Sequence, residues 1–148
     1  MAEKKIRTLA DFTDFSDAAL WREELATLLT VEDFHYVGDT GEPTFKNNWD
    51  NLNPSARGAR FYKDPFGRVH LAGMVDTGTS SVVFTLPEGY LPADVHAGLG
   101  EYLQFRGGTA GGGSTPSCQV TVRYNGDVAI QSWTTWATID GVSFRAAD

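Results

Sequence analysis

The sequence predicts a mainly β protein: an antiparallel β-sandwich or open barrel of about six to eight short strands, preceded by an N-terminal arm with one short α-helix. Three observations carry this expectation. Runs of alternating apolar and polar residues recur after residue 58, divided by turn formers such as Asn125-Gly126 and Asp140-Gly141. Fourteen of the 16 glycines lie after residue 44. Before that point, a stretch from Ala18 to Leu29 repeats its apolar residues at helical spacing instead.

Composition limits what the chain can be. At 148 residues, 41% hydrophobic and 21% charged, it is of single-domain size and can bury a core. The net charge of −7 argues against nucleic acid, which needs a basic surface. No apolar run of about 18 residues is present, so membrane insertion is not expected. Met1 to Arg7 has basic residues with no apolar stretch behind them, so a secretory leader is not expected and synthesis in the cytoplasm is. The lone Cys118 forms no internal disulfide, and no Cys/His spacing suits a metal.

Charge divides the chain in two. Residues 1–44 hold ten acidic and four basic side chains, residues 45–148 nine and eight. The expected domains are therefore an acidic arm with its helix over 1–44 and an antiparallel β head over 45–148. In the arm, Ser16 has the place of an N-cap, and Phe15 and Leu20 the spacing of a hydrophobic staple. Leu20 or Trp21, Leu25, and Leu28 or Leu29 form one apolar stripe. A helix of about 13 residues is not stable alone in water, so the stripe must pack on the β head or on other copies of itself.

Residues 37–58 read as a turn-rich connector, with Trp49 and Leu52 as its anchors. Trp49 suits either a core position or a ring exposed to a sugar. Arg60–Lys63 reads as a strand entering a type I turn at Asp64-Pro65-Phe66-Gly67. Arg68–Val75 alternates, with Val69, Leu71 and Val75 on one parity, and Ser81–Leu86 is a short strand stopped by Pro87 and Gly89. Val95–Phe105 carries another strand, and Gly107–Ser114 reads as a flexible loop. Gln119–Tyr124 and Asp127–Gln131 form a hairpin on Asn125-Gly126; Trp136–Ile139 and Val142–Arg145 form a second on Asp140-Gly141.

Several of these segments carry a resemblance. Trp49-x-x-Leu52, Arg60-Phe61-Tyr62-Lys63-Asp64-Pro65-Phe66-Gly67-Arg68-Val69-His70-Leu71, Gly73-Met74-Val75, Phe84 to Pro92 and the closing Thr138 to Arg145 together resemble the C-terminal β module of tailed-bacteriophage tail-fibre and minor tail proteins, including those of phages of actinobacteria. The resemblance covers about residues 45–148 and leaves 1–44 unmatched. It implies a homotrimeric virion protein at the surface of the tail or capsid, presenting its β domain for host attachment, with other virion proteins (tail or major capsid protein) and a host cell-surface glycan as partners. Capsid decoration, in which the protein binds and reinforces the shell, is the alternative within that class.

The residue chemistry agrees with a binding role. Four Trp, five Tyr and nine Phe supply the aromatic anchors that interfaces concentrate. Trp133, Thr134, Thr135 and Trp136 are the candidate ligand contacts, because an indole face stacks on an apolar sugar face while hydroxyls bond the ring substituents. Both tryptophans also suit the core or a trimer axis. Leu20, Trp21, Leu25, Leu28 and Leu29 are the candidate anchor or oligomer helix.

No catalytic residue, cofactor or metal is predicted. His35, His70 and His96 are isolated in sequence, and His70 falls opposite the parity of Val69 and Leu71. Ser80-Ser81 lacks the glycine-flanked elbow of a hydrolase. Asp76, Glu88, Asp94 and Glu101 show no spacing that marks a carboxylate pair. A small polysaccharide depolymerase stands as the enzymatic alternative, and it requires such a pair in a groove.

Overall fold

A computed structural model gives the fold and describes residues 18–98, 100–110 and 116–148. The predicted cap and staple at Phe15 and Ser16, and positions 111–114 of the predicted glycine loop, lie outside the described residues. The chain divides into two units, Met1–Val31 and Glu32–Asp148.

In the first unit, α1 spans Ala18–Leu29. Its last turn is closed by Thr30, whose hydroxyl donates to the Ala26 carbonyl at 2.6 Å. Trp21 is its buried residue and Leu20 is half-buried; Leu25, Leu28 and Leu29 are 41%, 54% and 59% exposed. Leu25, Leu28 and Leu29 of the stripe are thus exposed.

The second unit is mainly β. Its elements are β1 (His35–Tyr36), β2 (Asp50–Asn51), α2 (Pro54–Arg57), β3 (Arg60–Lys63), β4 (Arg68–Ala72), β5 (Met74–Asp76), β6 (Val82–Thr85), β7 (Tyr102–Gly108), β8 (Ser117–Arg123), β9 (Asp127–Gln131), β10 (Trp136–Thr138) and β11 (Val142–Arg145). They form three open antiparallel sheets, ordered β1-β3-β4-β11, β10-β5-β2 and β6-β9-β8-β7, with no closed barrel among them. Alternation places Phe61, Val69, Leu71, Val120, Val122, Val128 and Ile130 inside with Phe84, Val75, Ile139 and Val142, all essentially buried. Phe61 and Phe84 meet at 6.4 Å between ring centres.

The described strands number eleven rather than six to eight, for identifiable reasons. Residues before 45 and in the expected connector contribute β1 and β2, two residues each. The run Arg68–Val75 is one strand bent at Gly73, whose φ of 126° no ordinary residue adopts, and it belongs to two sheets. The second expected hairpin is the same device. β10 pairs with β5 and β11 with β4, so the chain crosses between sheets at Asp140-Gly141 instead of folding back on itself. The two crossings are tied together: the Asp140 carboxylate accepts from the Gly73 N–H at 2.9 Å, and the Ile139 N–H donates to the Gly73 carbonyl at 3.0 Å. Arg57 pairs with the other oxygen of Asp140.

The turn at Asp64–Gly67 forms as expected, with the Gly67 N–H donating to the Asp64 carbonyl at 3.0 Å. Asp64 Oδ1 also accepts from the N–H groups of Phe66 and Arg68, and Oδ2 lies 2.8 Å from His70 Nε2. That hydrogen bond, chiefly, holds the Asp64 carboxyl below the usual aspartate range. The Asn125-Gly126 hairpin forms with a three-residue loop: Gly126 alone is left-handed (φ 88°) and its N–H donates to the Arg123 carbonyl, a type I turn closed by a glycine bulge. The expected strand at Val95–Phe105 begins only at Tyr102, because positive-φ glycines at 98 and 100 bend the chain first. It then runs on through Gly107 and Gly108, expected as loop. A Cβ at Gly107 would overlap the Thr138 carbonyl, so that glycine lets β7 press against β10.

Candidate functional site

Three loops meet at one end of the β unit: residues 45–49 before β2, 77–81 after β5, and 132–135 before β10. Trp49 fastens them. It is 3% exposed, its indole N–H donates to the Ser80 carbonyl at 2.7 Å, and a side chain at Gly78 would overlap its ring. Of the two readings of Trp49, the core position is the one observed. Trp133 lies against it at 5.0 Å between ring centres, half-buried, with its remaining surface open.

The backbone here is unusual. Among the described residues, the four non-glycine positions at positive φ are Asn47 (52°), Asn48 (59°), Thr77 (59°) and Ser132 (61°), and all lie in or beside these loops. Such positions cost free energy and cluster where side chains are held for a purpose. Asn47 donates from Nδ2 to the Val82 carbonyl at 2.8 Å and accepts at its own carbonyl from Thr79. The Thr77 hydroxyl donates to the Asn48 carbonyl at 2.7 Å. The sequence places Asn47-Asn48, a residue type that tolerates left-handed backbone, in the turn-rich connector, and nothing in it marks Thr77.

The predicted contact residues divide. The Thr134 N–H donates to Thr109 Oγ1 at 3.1 Å, and the Thr134 hydroxyl bonds the Ala110 carbonyl. Thr109 in turn donates to the Trp136 carbonyl at 2.6 Å. These hydroxyls therefore stitch 132–136 to the end of β7. Thr135 is exposed and makes no hydrogen bond to a described residue. Trp136 is in β10, half-buried, on a row with Asp76 and Asp50 across β10, β5 and β2. The loop end thus presents an open indole, amides, hydroxyls and, on the adjoining sheet, a second indole beside two carboxylates.

The histidines serve other ends. His35 stacks on Phe61 at 5.1 Å, with Nδ1 2.9 Å from Glu42 Oε1 and Nε2 3.0 Å from the Tyr90 hydroxyl. Tyr90 donates to Glu32 Oε2 at 3.0 Å; burial, reinforced by that glutamate, pushes its phenol up to about 12. The network fastens residues 32–42 to the β3 side of the sheet. His70 lies on the outer side of β4, stacked on Tyr62 at 4.8 Å. Among the described residues no three metal-ligating side chains converge, and no helix is long and apolar enough to cross a membrane. Cys118 is buried, and burial pushes its thiol up, away from the thiolate that nucleophilic chemistry requires.

No family model matches the chain, and no curated protein sequence matches it. Among solved structures, the chain is similar to the crystal structure of the receptor binding protein (gp15) of Listeria phage PSA, with a TM-score of 0.65 and 15% sequence identity over 97% of this chain and 82% of that one. At that identity the likeness is one of fold.

Proposed function

We propose that the chain is a non-enzymatic bacteriophage virion protein that presents its β unit for attachment to the host surface. The observation that carries this reading is the fold likeness to a phage receptor binding protein, which extends over nearly the whole chain. The loop end supplies the contact: Trp133 offers an open indole face on a rigid mount, the Trp49 ring beneath it, and Thr135 and the strained loops frame it with hydroxyls and amides. A surface glycan is the ligand that this chemistry suits. The helix of the acidic arm joins the particle or the other copies, and the exposed leucines of α1 are the surface for it. Three copies, about 48 kDa from 16.1 kDa each, form the working unit.

Gold-labelled antibody against the β unit, applied to particles released by cells that make this chain, tests the reading. Label at the tail end is the expected result. Label spread over the head would replace attachment with reinforcement of the shell, and particles without label would overturn the virion reading. Trp133→Ala is expected to weaken binding to host cells while the chain still folds, with a lower melting temperature from the lost contact with Trp49.

One observation favours the depolymerase as a second reading. Asp50 and Asp76 are register partners on neighbouring strands, beside Trp136, and neither has an ion-pair partner among the described residues. Reducing ends released from host-wall polysaccharide by the wild type, and not by Asp76→Asn, would establish it.

A further inference from the structure

The outer face of the β7–β8–β9 sheet has a character unlike the rest of this acidic chain. Register sets Arg106 opposite Gln119 and Gln119 opposite Gln131, with Gln104 two places along β7 opposite the buried Thr121, so alternate residues of three strands share one face. A cavity of about 400 Å³ opens there, and Gln104, Arg106, Ser117, Gln119 and Ser132 are among the residues that line it. Among the described residues, none that lines this first cavity carries a carboxylate. A second cavity of about 580 Å³ adjoins it at Gln104 and continues along β7 past Tyr102, which is 48% exposed; Glu101 also lines it, with its carboxylate accepting from the Gly98 N–H at 3.0 Å. From Tyr102 to Arg106 a strand advances about 13 Å, enough for a short oligosaccharide.

The groups in this groove are unspent. Among the described residues Arg106 has no ion pair, and the side chains of Gln104, Arg106, Gln119 and Ser132 make no hydrogen bond. Ser132 is telling, because its left-handed backbone (φ 61°) is accompanied by no compensating side-chain bond, and its side of the chain borders the cavity instead. A planar amide offers a donor and an acceptor at the spacing of neighbouring sugar hydroxyls. A guanidinium offers paired donors to phosphate or carboxylate. An exposed phenol ring offers a stacking face.

We propose that the groove along β7 binds an anionic glycan, a sugar polymer bearing phosphate or carboxylate groups, with Arg106 on the anion, Gln104 and Gln119 on hydroxyls and Tyr102 against a ring face. The proposal rests on the attachment reading for the ligand being a glycan. It adds a second subsite beside the Trp133 loop and the sign of the ligand's charge.

Titration calorimetry of the full chain with phosphomannan, polygalacturonate and dextran tests it, with Arg106→Gln and Trp133→Ala as variants and thermal melts to confirm that each folds. At least one anionic polymer is expected to bind at least tenfold more tightly than dextran. Arg106→Gln is expected to lower that affinity about tenfold, and raised salt to weaken it. Binding by phosphomannan alone or polygalacturonate alone identifies the anion. Dextran binding as well as the charged polymers, no binding by either charged polymer, or full affinity in Arg106→Gln overturns the groove. Binding lost in Trp133→Ala yet unchanged in Arg106→Gln would keep attachment and remove this subsite. Groove binding by a protein absent from virions would do the reverse.

Discussion

Of the places in the β unit where the backbone takes positive φ, two use opposite residue types to do it. At the corner where β4 passes into β5, the position is Gly73; a Cβ there would fall 2.6 Å from the Ala59 Cα and the Gly58 carbonyl. At the loop end, left-handed backbone is held by Asn47, Asn48, Thr77 and Ser132, where glycine would be less strained. The corner needs the absence of a side chain, because two chain segments touch there. The loop end keeps its side chains in spite of the strain. Asn47, Asn48 and Thr77 offset it with hydrogen bonds between loops, whereas the Ser132 hydroxyl has no such bond among the described residues and borders a cavity. Strain accepted for packing and strain accepted for a surface are therefore told apart by what the side chain meets.

Substitutions at these positions sharpen the contrast. Gly73→Ala brings the largest effect, a loss of about 3 kcal/mol or more, seen as a fall in melting temperature of about 10 °C or failure to fold. Wild-type stability in this variant would break the account of the corner. Asp140→Ala comes next, with about 1–3 kcal/mol lost in urea unfolding, since the Gly73 N–H then lacks its acceptor in a close-packed place. Asn47→Gly relieves strain but removes the bond to Val82, a net loss of about 1 kcal/mol. Ser132→Gly is the smallest and has the opposite sign: relief without a lost bond stabilises by about 0.5 kcal/mol, while weakening the binding of anionic polymer in the calorimeter. Loss of stability in Ser132→Gly would show that its side chain holds the loop after all.

Much of the β unit was legible because its signals are local. The alternation of Val69, Leu71 and Val75, the Asp64–Gly67 turn and the Asn125-Gly126 hairpin each depend on a few neighbouring residues. The sheet switches were not, because Asp140-Gly141 has the same local chemistry whether the next strand folds back or crosses to another sheet. What decides is Gly73, 67 positions away in the chain, offering its N–H to Asp140. Gly107 and Gly108 misled for a related reason: composition says loop, but the close passage of Thr138 makes glycine the residue a strand needs at 107. In the candidate site, Trp133 stood out by its side chain alone. Gln104, Arg106 and Gln119 did not, since only the β7–β8 register makes three separate polar residues into one surface.

The double crossing at Gly73 and Asp140 also decides how the unit carries force. Tension applied to the loop after β5 runs along the main chain through Gly73 into β4, and tension applied at Trp136 runs through Asp140 into β11. β4 and β11 are paired to each other over four residues, Arg68↔Arg145 to Leu71↔Val142. A pull on the loop end therefore loads covalent bonds and a hydrogen-bonded strand pair together, and sliding one sheet from the other requires both strands to move at once. At these two crossings the link between sheets is continuous strand, tied across by the hydrogen bonds of Gly73 to Asp140 and Ile139, rather than free loop.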